Sequence, residues 1–176
     1  LVDDVDRHTT TASFQAPGDA IVLVTPAGWV HTGGVEGSEY LASSHGLTTG
    51  DAPHLDLDEE KAIQAATLAA IRSGDVKSAH DVSDGGLAVA LAESCLFGPF
   101  GADIRLDAAE GTRLDALLFG EAQSRVVLSV RYEALDAIRQ LVASHGAQAT
   151  HIGQVDLDGL TIQVNGETVL DVSTAE

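Results

Sequence analysis

The hydrophobic pattern of the chain alternates between short apolar runs and longer segments of helical period. Ala20 to Thr25 (AIVLVT) is an unbroken apolar run with β-branched residues, the pattern of a buried strand. Pro26 to Gly37 holds four glycines and is expected to be a loop. Ser38 then opens a short helix through Tyr40 and Leu41 that closes near Gly46. Asp56 or Asp58 caps a helix running to about Ser73, with Glu59 and Glu60 in its first turn, Arg72 in its last and Gly74 just beyond, all suited to the helix dipole. Its apolar face is Ile63, Ala66, Ala70 and Ile71.

A short strand is expected at Ser78 to Val82, then a turn through Asp84, Gly85 and Gly86, then an alanine-rich helix from Leu87 to about Leu96. Ala102 to Leu106 and Arg125 to Val130 read as strands, with a short helix at Leu114 to Phe119 between them. Tyr132 to His145 carries Leu135, Ile138, Leu141 and Val142 on one face and stops at Gly146. Thr150 to Val155, Leu160 to Val164 and Thr168 to Val172 complete the strands, the last two joined at Asn165-Gly166, where both residues tolerate positive φ. The alternation predicts an α/β (α+β) fold, a mixed β-sheet with packed helices. Residues 1–19 are polar and irregular and read as an arm or linker from an upstream domain; residues 20–176 form the domain proper.

Composition narrows the function. A chain of 176 residues that is 44% hydrophobic and 20% charged is sufficient for one globular core. Its net charge of −18, with Lys61 and Lys77 the only lysines, argues against nucleic acid and anionic membranes, since no basic stripe is present. It does not exclude phosphate ligands, because a divalent cation or a helix amino terminus can supply the positive end. A single cysteine, Cys95, rules out an intrachain disulfide and fits a reducing cytoplasm. Neither a signal peptide nor an apolar run of membrane-spanning length is present. Methionine is absent and the chain opens at Leu1, which reads as an excised domain with the rest of its parent missing.

Three constellations could carry chemistry. Ser78-Ala79-His80-Asp81-Val82-Ser83-Asp84-Gly85-Gly86-Leu87 puts carboxylates and a hydroxyl at a strand end, then two glycines, then a helix start. That is the makeup of a phosphate-metal corner, because glycines admit a ligand to the backbone, the helix start offers N–H groups and a carboxylate can hold Mg²⁺. The plainer reading is that Ser83 or Asp84 caps the helix. Phe119-Gly120-Glu121-Ala122-Gln123-Ser124-Arg125 precedes a strand and is either a pocket wall with Arg125 as an anion fork or an ordinary polar loop. Gly33-Gly34 with Gly37-Ser38-Glu39-Tyr40 either covers a site or is a plain loop-to-helix turn. His8, His31, His45, His54, His145 and His151 show no metal-ligand spacing, His80 and Asp81 should point to opposite faces of a strand, and Cys95 has no basic neighbour to activate it.

The stretches GVEGSEYLASSHG, SAHDVSDGGLAVALAES, LLFGEAQSRVVLSV and HIGQV resemble, in order and interval, the second carboxy-terminal-type domain of the phosphoribosylformylglycinamidine synthase large subunit, from about Ala20 onward. The aminoimidazole ribonucleotide synthetase superfamily shares this architecture. Thiamine-monophosphate kinase has a comparable turn but is not expected to carry the GSEY and GEAQSR segments. The resemblance implies an ATP-dependent C–N ligase of purine biosynthesis, which makes formylglycinamidine ribonucleotide from formylglycinamide ribonucleotide, ATP and glutamine-derived ammonia. It implies Mg²⁺ on Asp81 and an adenine nucleotide, ATP or ADP, against Ser83. The implied partners are the upstream nucleotide-binding domains of the same chain, a glutaminase subunit and a small auxiliary subunit. No catalytic residue is carried over: the family's catalytic histidine lies in another domain, and Ala122 lacks the hydroxyl of the glutamate-serine-glutamine segment that touches substrate in the first half of the enzyme. A structural module that binds no ligand and a domain of a paralogous kinase or synthetase are the competing readings.

Overall fold

The computed structural model describes residues 4–29 and 34–173. In chain order its elements are α1 (Val5–His8), β1 (Ala20–Pro26), α2 (Glu39–His45), α3 (Leu57–Ser73), β2 (Val76–Asp81), α4 (Gly86–Leu96), β3 (Gly101–Leu106), α5 (Leu114–Phe119), β4 (Val126–Val130), a 3₁₀ turn (Tyr132–Ala134), α6 (Leu135–Ser144), β5 (Ala147–Asp156), β6 (Leu160–Val164) and β7 (Glu167–Val172). The seven strands form one sheet in the order β2-β4-β1-β5-β3-β6-β7. Neighbours are antiparallel except β3 and β6, which run parallel. The expected mixed sheet with packed helices is what the chain forms.

β1 explains the unbroken apolar run. It lies between β4 and β5, and helices cover both faces of the sheet there. Ile21, Leu23 and Val127 pack with Leu87, Leu91 and Cys95 of α4 and with Leu117 and Leu118 of α5. Ala20, Val22, Val24 and Leu128 point the other way, onto Ile63, Ala66 and Ala70 of α3 and Leu135, Ile138 and Val142 of α6. A strand sends alternate residues to opposite faces, so a strand buried on both sides has no polar alternation.

Three boundaries differ from expectation by two residues or more. β2 starts at Val76 rather than Ser78; Ser78 itself is buried and its hydroxyl meets that of Ser129 at 2.6 Å, so a polar residue is hidden inside the strand. β5 starts at Ala147 rather than Thr150, because the buried Ala147 and Ala149 continue the alternation with residues of low strand preference. Tyr132–Ala134 is a separate 3₁₀ turn before α6.

Thr10 and Thr11 lie along the β2 edge, and Gly18 and Asp19 exchange backbone hydrogen bonds with Val155 of β5. Thr11 forms a parallel bridge with Ser78, and the Ala79 N–H donates to the Thr11 carbonyl at 2.9 Å. Phe14 is fully buried in the cluster around α4, and its N–H donates to the Ser94 carbonyl at 3.0 Å.

Candidate functional site

The antiparallel pairing of β2 and β4 sets Asp81, at the end of one strand, opposite Val126 at the start of the other. The Val82 N–H extends the ladder to the Arg125 carbonyl at 3.0 Å. Sheet topology therefore brings the Asp81–Gly86 corner beside the Glu121–Arg125 loop, which sequence separates by some forty residues. Glycine permits the close approach: a Cβ on Gly86 would sit 2.8 Å from the Gly120 carbonyl oxygen and the Phe119 backbone, and Gly86 has a φ of +71°. The third constellation joins them. Tyr40 of α2 stacks on Phe119 at 4.6 Å with the rings 6° from parallel. Gly34 is at the same junction, its carbonyl oxygen 2.8 Å from where a Gly120 Cβ would stand; Gly33 and His31 lie outside the described residues.

Glu121 ties the assembly together. Its Oε1 accepts the N–H of Glu39, at the start of α2, and that of Gly85, at the start of α4, each at 2.7 Å. A carboxylate that satisfies two helix-terminal donors is well placed electrostatically. The corner's amides are consequently engaged within the chain, since the Gly86 N–H also donates, to the Ser83 carbonyl at 3.0 Å. The expected supply of open N–H groups is reduced to those beyond Gly86.

Neither Ser83 nor Asp84 caps α4. Gly85 occupies the cap position in a left-handed conformation without a side-chain hydrogen bond. The Ser83 hydroxyl instead donates to Asp81 Oδ2. Asp81 is exposed, and no arginine or lysine pairs with it among the described residues. His80 Nδ1 contacts the Asp81 carbonyl oxygen at 2.8 Å, and its Nε2 faces Glu93 of α4 at 3.0 Å. The carboxylate of Asp81 is 3.7 Å from Nδ1, outside hydrogen-bonding range, so the two side chains form no dyad, as their alternation on a strand predicts.

Asp81 and Ser83 open onto a cavity of about 430 Å³ walled by Glu60, Thr67 and Leu68 of α3 and by Gln123, Ser124 and Arg125. Ser124 holds a positive φ of 61°, uncommon outside glycine, and its hydroxyl donates to Glu60 Oε2 at 2.6 Å. Thr67 Oγ1 is buried against this cavity with no hydrogen-bond partner. An unsatisfied buried hydroxyl is costly and leaves a donor and acceptor for a ligand. The chain's own donor set fits Mg²⁺ only in part: among the described residues no group of three or more His, Cys, Asp or Glu side chains could hold a metal. One carboxylate suffices where phosphate and water supply the rest of an octahedral shell.

Arg125 is not the expected anion fork toward this cavity. It is 3% exposed, and its Nε and Nη2 donate to the carbonyls of Ala122 at 2.9 Å and Gly120 at 2.6 Å, bracing the loop from beneath. Burial lowers its pKa to about 10, with the Glu121 charge acting in the opposite direction, so it stays protonated at neutral pH. Cys95 is fully buried, and burial pushes its thiol up to about 12, which removes it as a nucleophile. Sequence reasoning missed Glu60, Thr67 and the double acceptance by Glu121. Glu60 already had a sufficient local explanation in the first helical turn, and its bond to Ser124 spans 64 positions that no local signal bridges.

The family model for the AIR synthase related protein, C-terminal domain, matches residues 16–165. The chain belongs to this family. Among curated members of wider extent, it is 52% identical over 99% of its length to phosphoribosylformylglycinamidine synthase subunit PurL of Salinibacter ruber. It is 41% identical over 100% of its length to the same subunit of Moorella thermoacetica. It spans 23% of each of those proteins. The fold recurs in Thermotoga maritima PurL complexed with FGAR, with a TM-score of 0.80 at 20% identity over 95% of this chain and 29% of that one. It also recurs in the hydrogenase maturation protein HypE, with a TM-score of 0.59 at 20% identity over 100% of this chain and 57% of that one. T. maritima PurL has further been solved complexed with ATP and with ADP. The C-terminal domain fold of the AIR synthase family is thus common to proteins of more than one name.

Proposed function

We propose that this chain is the second carboxy-terminal-type domain of a phosphoribosylformylglycinamidine synthase large subunit and supplies one wall of an auxiliary Mg²⁺-nucleotide site. In that reading the parent enzyme acts in the cytoplasm, joining glutamine-derived ammonia to formylglycinamide ribonucleotide at the expense of ATP. Residues 1–19 lead in from an upstream nucleotide-binding domain, residues 20–176 are the domain, and a glutaminase and a small auxiliary subunit complete the assembly. The isolated domain is inactive. The identity with PurL subunits along the whole chain supports the enzyme assignment. Among the described residues no helix is long and apolar enough to cross a membrane.

One observation carries the role of the domain: the exposed Asp81, hydrogen-bonded by Ser83, opens on a 430 Å³ cavity that also contains the orphaned hydroxyl of Thr67. Asp81 would hold Mg²⁺ and Ser83 would contact the nucleotide. The metal, when bound, would neutralise phosphate charge that this acidic surface otherwise repels. Asp81 and Ser83 are presented by backbone that Glu121 and Arg125 fix from below, so little conformational freedom is lost on binding. A second reading, a module that only completes the parent fold, is favoured by the engagement of both glycine amides within the chain.

Equilibrium dialysis of Mg-ADP against the full-length parent protein separates the two. Asp81→Asn and Ser83→Ala are expected each to weaken retention at the auxiliary site about tenfold, equivalent to about 1.4 kcal/mol. Unchanged retention in both variants would leave the structural module as the function.

A further inference from the structure

We propose that a second cavity, separated from the Asp81 corner by Arg125, is a binding site for a small organic anion with a flat apolar body. Arg125 is the one residue shared by the two linings. This cavity has a volume of about 310 Å³, at the lower end of the range for small-molecule sites. Trp29, Leu106, Ala108 and Leu117 give it apolar walls, and Thr150 stands on its sheet side.

The charge on Arg125 is what calls for a ligand. The guanidinium is buried and has no carboxylate within 4.0 Å among the described residues. Its hydrogen-bond partners are two neutral carbonyls, and Nη1 makes no hydrogen bond among the described residues. A buried cation that no carboxylate touches carries a desolvation cost that carbonyl dipoles and the more distant charge of Glu121 offset only in part. The guanidinium carbon is 5.8 Å from the centre of the Trp29 ring, itself part of the cavity wall. An anion there meets the cation while its apolar body meets the indole and the leucines. Arg105 on the rim is already paired with Asp103 at 2.7 Å, and the exposed Asp107 on the lining disfavours a second negative charge. The fit is therefore to a singly anionic head on a planar body, and both a carboxylate and a phosphodiester have that chemistry.

Trp29 is the only tryptophan of the chain, so its fluorescence reports this cavity directly. The 176-residue chain, whose seven strands form one sheet between two buried apolar clusters, is titrated with benzoate, methyl phenyl phosphate and the neutral isostere benzamide, without Mg²⁺ or nucleotide. Failure of the nucleotide reading thus leaves this test intact. Saturable binding of one of the anions at least tenfold tighter than benzamide is expected, and the better of the two identifies the head group. Arg125→Met should abolish the preference for an anion. Should that variant not fold, Ala108→Phe, which fills the cavity and leaves the cation in place, should weaken binding at least tenfold. Equal affinity for benzamide, absence of saturation by either anion, or undiminished binding in a folded variant would overturn the proposal.

Discussion

Asp19 illustrates how a single residue can report its surroundings. It is 7% exposed and its Oδ2 has no hydrogen-bond partner. Burial raises its pKa above the usual carboxylate range, opposed by the charge of Lys77. A raised pKa means the folded state prefers the protonated acid. The favourable contribution is complete below the unfolded value of ~3.9 and is lost as pH rises through the higher folded value. At neutral pH the native state therefore holds an unfavourable buried charge. Asp19→Asn is expected to raise the melting temperature at pH 7, with the advantage shrinking to nothing as pH falls below ~3.9. An equal difference between variant and wild type at both ends of that window would contradict this account. Arg125 poses the complementary case, a buried cation held by carbonyls. Its burial could not be read from sequence, because an arginine before an apolar strand looks the same whether it faces water or the core.

At the scale of elements, the caps and periods were legible and the joints were not. Asp56 accepts the N–H groups of Asp58 and Glu59 at the start of α3, and Gly46 and Gly74 close α2 and α3 in left-handed conformations; each is a local signal with a local cause. The candidate corner was found for the same reason, since a strand, two glycines and a helix are adjacent in sequence. Its connection to α2 runs through Glu121, and a carboxylate that reaches amides 82 and 36 positions away leaves no mark on any nearby pattern. Removing it tests whether those elements form one unit. Glu121→Ala strands two helix-terminal donors, each worth roughly 1–3 kcal/mol if left unsatisfied and less if water reaches it. Faster hydrogen exchange is expected at both Gly85 and Glu39, with a lower denaturation midpoint. Acceleration at Gly85 alone would show that α2 is held by the Tyr40–Phe119 stack instead.

For the whole molecule, the sheet order decides where the proposed site lies. Because β2 and β4 are antiparallel neighbours, the two motif-bearing loops emerge at one edge, while α3 and α6 on one face and α4 and α5 on the other bury the strands between them. A net charge of −18 over 176 residues makes that edge a poor place for a free polyphosphate. On the proposed reading nucleotide binding here depends on a cation, and of the two exposed carboxylates at the corner, Asp81 and Asp84, Asp81 is the one that lines the cavity. The direct test is to replace Mg²⁺ by Mn²⁺ in the full-length parent protein and count bound ions by electron paramagnetic resonance in the presence of ADP. Asp81→Asn should bind one ion fewer than wild type, and an unchanged count would contradict the assignment of Asp81 as a metal ligand.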